Sequence, residues 1–373
     1  MRTQNSNIKA FFALLRAGLW ETDVRLSDYD SIVFAAIQSL AEEQSVVGLI
    51  AAGLEHIVDK KPAKNDVLQF IGQTIQLEQQ NTAMNYFISV LVDKMRKKGI
   101  YTLLVKGQGI AQCYARPLWR SCGDVDFFLN EDNYKKAKDF LIPLASIVEM
   151  EYVREKHLGM TIDPWVVELH GSLYSGLSSR VEKGLDEIQN DAFYKGNVRS
   201  WMIGDTQVFL LSANNDAVYV FTHILQHFYK GGIGLRQICD WARLLWSYRN
   251  DIDRELLEHR LKAMGLMTEW KAFGAFAVDY IGMPSDAMPL YSPEKKWKWK
   301  AERICSFIIE VGNFGHNRDN RYFAKYPYVT RKVISFGRRI GDLYRHARIF
   351  PLDSIRFLPR IVINGVRSVI RGE

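Results

Sequence analysis

The spacing of apolar residues changes along the chain, from helical to alternating and back to helical, before a basic end. An apolar run occupies Phe11 to Trp20, and Ile32, Val33, Ala36, Ile37 and Leu40 then recur at helical spacing. Ser27 ahead of Asp28 and Asp30 reads as the N-cap and acidic first turn of that helix. A longer helix is expected from about Asp66 to Lys98, with Leu68, Ile71, Ile75, Phe87, Val90, Leu91 and Met95 as its buried stripe. Lys94, Arg96, Lys97 and Lys98 crowd its carboxyl end, where the helix dipole favours cations, and Gly99 supplies the stop.

Beyond Gly99 the texture is that of a sheet. Ile100 to Val105 is a short apolar run bounded by glycines, which suits a buried strand. Gly107 to Tyr114 reads as a short helix that Arg116-Pro117 ends, Asp124 to Leu129 as a second strand, and Glu131 to Leu144 as a helix. Trp165 to Leu169 is a third strand, with weaker candidates around Ile147 and Met160. From Asp205 onward the pattern predicts helices over Gln207 to Tyr229, Ile238 to Tyr248, Asp253 to Met264, Thr268 to Tyr280 and Trp297 to Val311. There is no internal repeat. The expected fold is α+β, with a small sheet core at 99–202 between helical regions at 1–98 and 203–325, and a basic amphipathic tail at 326–373.

Composition narrows this picture in three ways. At 373 residues and 47% hydrophobic content the chain exceeds what one core usually fills. Its longest apolar stretches, such as Val46 to Leu54, fall short of the roughly 20 residues that span a bilayer, and Arg16 interrupts the amino-terminal run. Residence in the cytoplasm is the expectation. The four cysteines, Cys113, Cys122, Cys239 and Cys305, form no CxxC pair and read as buried thiols. Charge is uneven: 318–373 holds 13 Lys and Arg against 4 Asp and Glu, so this end carries +9 and the rest of the chain about −2.

The chemistry concentrates in Val105-Lys106-Gly107-Gln108-Gly109, Arg116-Pro117, Arg120 and Gly123-Asp124-Val125-Asp126-Phe127-Phe128-Leu129. Alternation along a strand projects Asp124 and Asp126 together, with Val125 and Phe127 in the opposite layer. Two like charges side by side are costly without a cation between them, and such pairs hold Mg²⁺ together with phosphate oxygens. Glu168, sharing a face with His170 in Val166-Val167-Glu168-Leu169-His170, offers a third carboxylate. Gly107 and Gly109 either let phosphate oxygens approach the main chain at a helix start or simply form a tight turn. Lys106 can meet phosphate or pair with an aspartate. His223 and His227, four residues apart, share a helix face able to ligate zinc or merely to line a cleft. Arg236 and Asp240 have the same spacing, that of an intrahelical ion pair.

The run LLVKGQGIAQCYARPLWRSCGDVDFFL resembles the signature of the uncharacterised nucleotidyltransferase family within the polymerase-beta-like nucleotidyltransferase superfamily. Carrying it are Lys106-Gly107, Tyr114, Pro117, Arg120 and Gly123 to Asp126, followed by Glu168 to His170, His223, His227, Arg236 and Asp240. Gln108 stands where the wider superfamily has Ser, and the gap to the first Asp is longer. The resemblance implies a small polymerase-beta-like sheet and transfer of a nucleoside monophosphate from a nucleoside triphosphate to a hydroxyl acceptor. It also implies Asp124, Asp126 and Glu168 as catalytic ligands of two Mg²⁺ (or Mn²⁺) ions, one on the β and γ phosphates and one activating the acceptor. Lys106, Gly107, Gln108, Arg120, Gly123, His170, Arg236 and Asp240 would contact the nucleotide. Family members often occur with surface-polysaccharide synthesis genes, which gives one context for the acceptor.

From Tyr326 onward Arg alternates with apolar residues. Ile355, Leu358, Val362, Val366 and Val369 form a stripe beside Arg356, Arg360, Arg367 and Arg371, interrupted by Pro359. Three readings stay open: contact with the inner, anionic membrane face, binding of a polyanion such as nucleic acid, and packing on the helical region. Two rivals to the enzyme accompany them, a catalytically inactive nucleotide-binding or membrane-associated scaffold and an RNA-modifying nucleotidyltransferase anchored by the tail.

Overall fold

The computed structural model describes residues 2–313, 327–352 and 354–355, and its fold is α+β. Four helices come first: α1 (Arg2–Trp20), α2 (Phe34–Glu43), α3 (Val47–Glu55) and α4 (Lys64–Lys97). The sheet region follows with β1 (Leu103–Val105), the one-turn α5 (Gly107–Ala111), β2 (Asp124–Phe128), α6 (Glu131–Leu141), β3 (Ile147–Val148), β4 (His157–Ile162) and β5 (Trp165–His170). Next come α7 (Ser179–Tyr194), β6 (Val198–Ile203) and β7 (Thr206–Leu211). Helices α8 (Ala213–Lys230), α9 (Leu235–Ser247), α10 (Arg254–Met264), α11 (Met267–Asp279), α12 (Lys295–Val311) and α13 (Tyr328–Ile349) complete it.

The seven strands form one mixed sheet in the order β3-β4-β5-β2-β1-β7-β6. β2 runs antiparallel to β1 and parallel to β5, and β1 runs parallel to β7. Alternation sorts the side chains into two layers. Leu104, Val125, Phe127, Val167, Leu169, Val208 and Leu210 pack with Met84, Ile88, Leu91 and Met95 of α4 and Tyr134 and Ala137 of α6. Leu103, Val105, Phe128 and Leu211 lie in the other layer with α7, α8 and the later helices. Asp124, Asp126 and Glu168 project into that second layer, where the apolar packing gives way to a cleft.

Three local expectations are corrected. Thr206–Leu211 is a strand, not the start of a helix: Gly204, at φ 57°, and Asp205 turn β6 back into β7, and Thr206, Val208 and Leu210 are buried while Gln207 is exposed. The second helix starts at Phe34 rather than behind Ser27, because the Asp59 carboxylate accepts the amides of Leu26 (2.9 Å) and Ser27 (2.9 Å) and holds that turn instead. In α4, Leu68, Ile71 and Ile75 are 62%, 46% and 50% exposed. Phe70, Thr74, Asn81, Met84 and Ile88 set the buried face of a helix that packs on α2, α3, β6 and β7. Leu68→Gln is therefore expected to shift stability by about 0.5 kcal/mol or less in a urea melt, as exposed sites do.

The four cysteines are buried free thiols. No helix among the described residues is long and apolar enough to cross a membrane. The described start of the basic end packs inward: His346, Ile349 and Phe350 are 1%, 2% and 1% exposed, and Phe350 lies 6.2 Å from Phe228. The stripe from Leu358 to Val369, with Arg356, Arg360, Arg367 and Arg371, lies outside the described residues.

Candidate active site

The register of three strands builds the site. Asp126 stands opposite Glu168 and Phe128 opposite His170 across β2 and β5, while Val105 stands opposite Asp126 across β1 and β2. The antiparallel β4 sets His157 opposite His170. Side chains of paired residues share a face, so Asp124, Asp126, Glu168, His170 and His157 converge with Lys106 at the end of β1. They form the floor of a 1380 Å³ cleft whose far wall is Tyr219, His223, His227 and Lys230 of α8 and Arg236 and Asp240 of α9.

Lys106 resolves the two roles left open for it. Its Nζ lies 2.7 Å from Asp126 Oδ1, and His170 Nε2 lies 2.8 Å from the same oxygen. Asp126 is only 2% exposed, so these cations offset a carboxylate that water barely reaches. Burial opposes ionisation of Asp126, but Lys106 and His170 together hold its pKa below the ordinary value. Burial likewise works against the Lys106 ammonium, and Asp126 outweighs it and raises the pKa. Glu168 meets His157 Nε2 at 3.2 Å and His170 Nε2 at 3.4 Å, and despite burial these two imidazoles depress its pKa.

Asp124 differs from its neighbour. Among the described residues its carboxylate has neither a hydrogen bond nor an ion pair. Burial first, then the charge of Asp126, raises its pKa. A partly exposed carboxylate facing a cleft with two more beside it fits a hard divalent cation, whose ligands are oxygens and whose charge would relieve the crowding. By the chemistry of their donors Asp124, Asp126 and Glu168 suit Mg²⁺ or Mn²⁺, but among the described residues the ligand atoms drawn within 4.8 Å of one another are those of His157, Glu168 and His170.

The strand-to-helix turn is strained and open. Lys106, at φ 57° and ψ −144°, occupies a conformation that non-glycine residues rarely adopt, and Gly107 follows at φ 38°. A Cβ at Gly107 would come within 3.3 Å of Cys122 Sγ, so glycine is what allows β1 to bend here beside β2. Gly107 lines the cleft. The Gln108 side chain does not: it is 1% exposed, and its amide donates to Asn81 Oδ1 at 2.7 Å, so only its main chain faces the turn. Gly109 is held by Leu210, which a Cβ would meet at 2.8 Å, so its glycine serves packing. At Gly123, ahead of β2, a Cβ would meet nothing within 4 Å.

Arg236 and Asp240 do not pair with each other. Asp240 accepts Arg120 Nε at 3.0 Å and Nη2 at 2.7 Å, and the Tyr114 hydroxyl at 2.7 Å. Arg236 donates from Nη1 to the Ser121 carbonyl at 2.8 Å. Both arginines thus fasten the 114–123 segment to α9. Arg120 Nη1 and Arg236 Nε are buried without a hydrogen-bond partner, leaving guanidinium N–H groups on cleft-lining residues. Sequence reasoning missed His157, which β4 brings opposite His170 and beside Glu168.

The two histidines of α8 line the cleft, their Nε2 atoms 3.1 Å apart. Burial and then Lys106 push His223 well below its ordinary value, and the same causes bring His227 to about 4 from 6.5. Between those values the unfolded chain binds a proton at His227 that the folded chain does not, so stability falls as pH drops through that window. His227→Gln is expected to flatten this dependence, checked by urea midpoints at several pH values from neutral downward. His170 acts in the opposite sense: burial lowers its pKa but Asp126 and Glu168 raise it overall, so its contribution is lost as pH rises through the folded value.

No curated protein and no solved structure matches the chain. A family model does, over residues 30–280, which takes in every residue of the cleft floor and wall named above. The Lys-Gly turn, the Asp124-Val125-Asp126 strand and the Glu168-Leu169-His170 strand meeting in one cleft thus lie within a matched stretch of more than half the sequence: the chain belongs to the family described as Uncharacterised nucleotidyltransferase.

Proposed function

We propose that the protein is a Mg²⁺-dependent nucleotidyltransferase that moves a nucleoside monophosphate from a nucleoside triphosphate to a hydroxyl acceptor. The observation that carries this reading is the β2/β5 register, which sets Glu168 beside Asp126, with Asp124 on the same face and the Gly107 bend one strand away. Divalent ions bound by these carboxylates would neutralise the triphosphate and favour ionisation of the acceptor hydroxyl.

The other residues have assignable tasks. The amides of the Gly107 turn, the guanidinium charges of Arg120 and Arg236, and Lys106 would supply positive potential to the triphosphate and departing pyrophosphate. Lys106 keeps Asp126 ionised until phosphate arrives to share the ammonium. His170 fixes the orientation of Asp126 and Glu168 by bonding both. The α8 wall, with its neutral histidines, sets the depth available to the acceptor. Asp240 acts through Arg120 and positions it.

The test is incubation of the full chain with α-labelled nucleoside triphosphates, Mg²⁺ or Mn²⁺, and a cell extract as acceptor pool, with Asp124→Asn in parallel. Label transfer or pyrophosphate release by the wild-type chain supports the reading. Equal signals from the two proteins would remove it.

A further inference from the structure

Glu168 is flanked by imidazoles in a way that a site built for Mg²⁺ alone does not need. His157 Nε2 and His170 Nε2 approach its Oε2 at 3.2 and 3.4 Å, and the three donor atoms all lie within 4.8 Å of one another. For ligands about 2.0–2.1 Å from a tetrahedral ion, neighbouring donor atoms stand about 3.3 Å apart. Both contacts match that separation.

The backbone fixes the trio. His157 and His170 are register partners on antiparallel strands, and Glu168 lies two residues before His170 on the same face. The imidazole rings lie 4.8 Å apart at 31°, side by side rather than turned away from each other. Each of the three side chains is partly exposed and lines the cleft, so water or a substrate oxygen can reach the trio.

We propose that His157, Glu168 and His170 form a binding site for a divalent ion of borderline softness, of the Zn²⁺ type, distinct in chemistry from the all-oxygen site at Asp124 and Asp126, with which it would share the Glu168 carboxylate. Two imidazoles and one carboxylate suit such an ion, whereas Mg²⁺ selects oxygen donors in octahedral array. The cleft would then hold two unlike ions, and loading the second would take His170 Nε2 away from Asp126 Oδ1, its hydrogen-bond partner at 2.8 Å in the metal-free site. Only the role given to this ion, polarising the acceptor oxygen beside the transferred phosphate, rests on the nucleotidyltransferase reading. Its binding does not.

The experiment is a calorimetric titration of chelator-stripped full-length protein with Zn²⁺ in a large excess of Mg²⁺, followed by Co²⁺ as an optical probe. One Zn²⁺ per chain should bind despite the Mg²⁺, and Co²⁺ should give the visible bands of a low-coordinate nitrogen and oxygen site. His157→Gln should weaken Zn²⁺ by about tenfold or more, with an unchanged melting profile. His170→Asn repeats the measurement should the first variant fail to fold. His223→Gln, on the opposite wall, should leave the affinity as it was. Absence of Zn²⁺ binding against Mg²⁺ overturns the proposal, as does binding that survives both floor variants or disappears in His223→Gln. A Zn²⁺ site without label transfer would sink the functional reading and leave this one standing. Transfer without a Zn²⁺ site would do the reverse.

Discussion

Asp124→Asn is expected to lower nucleotidyl transfer by about 10³-fold or more, on the order of 4 kcal/mol of transition-state stabilisation, while leaving the melting temperature unchanged or slightly higher. The two halves of that expectation have separate causes. Transfer depends on charge at Asp124, and the amide keeps the shape of the carboxylate but cannot neutralise a divalent ion. Stability moves the other way because the folded protein disfavours the ionised form: burial and then Asp126 raise its pKa, and no described residue bonds it. Removing that charge relieves repulsion on the sheet face. Asp126→Asn provides the contrast. It strands the Lys106 ammonium and the His170 ring, both of which now meet Oδ1 within 2.8 Å, so it should lose transfer and stability together. Label transfer and thermal melts on the two variants separate a catalytic role from a structural one. An Asp124→Asn protein that transfers label as the wild type does would remove the carboxylate from the chemistry.

The floor of the site was legible because strand alternation is a local rule. Asp124, Val125, Asp126 and Phe127 needed only their neighbours to declare which side each takes, and Glu168 between Val167 and Leu169 obeyed the same rule. His157 was not legible, since its place beside His170 depends on the pairing of β4 with β5 and no motif surrounds it. Thr206–Leu211 was misread because a short apolar run leading directly into α8 continues its hydrophobic pattern, although the Gly204-Asp205 turn that folds it back on β6 is itself a local signal. Helix phase failed in the first turns of α4 for a related reason. Which of Leu68 or Phe70 is buried depends on tertiary packing, which takes Phe70 into the core and leaves Leu68 62% exposed. Asp240 shows the limit of spacing arguments, because a cation four residues away on its own helix lost to Arg120, which arrives from another segment in bidentate geometry.

Asp240→Ala is expected to cost about 3–5 kcal/mol of stability, the usual consequence of leaving one member of a buried ion pair unpaired. Arg120 is 6% exposed and Asp240 4%, and the guanidinium has lost most of its water. Burial alone would lower the Arg120 pKa, and Asp240 reverses that and raises it; a guanidinium is too basic to be deprotonated in a protein, so Arg120 stays charged when its partner is removed. The variant would also orphan the Tyr114 hydroxyl, which donates to the same carboxylate at 2.7 Å. Because Tyr114 and Arg120 bracket the loop between α5 and β2, the damage should reach the cleft as weaker binding of nucleoside triphosphate. A double-mutant cycle tells the pair from its parts. Arg120→Met and Asp240→Leu are made singly and together: each single variant strands the opposite charge, and the double variant removes both and should recover most of the loss in a urea melt, since an apolar pair of similar volume often equals a buried ion pair. If the double variant is as unstable as Asp240→Ala, the pair's contribution is packing at the α9 contact rather than charge. Nucleotide affinity decides the remaining question. A double variant that regains stability yet still binds triphosphate weakly would place the spare Arg120 N–H groups on the phosphates, and full recovery of binding would confine Arg120 to holding the loop.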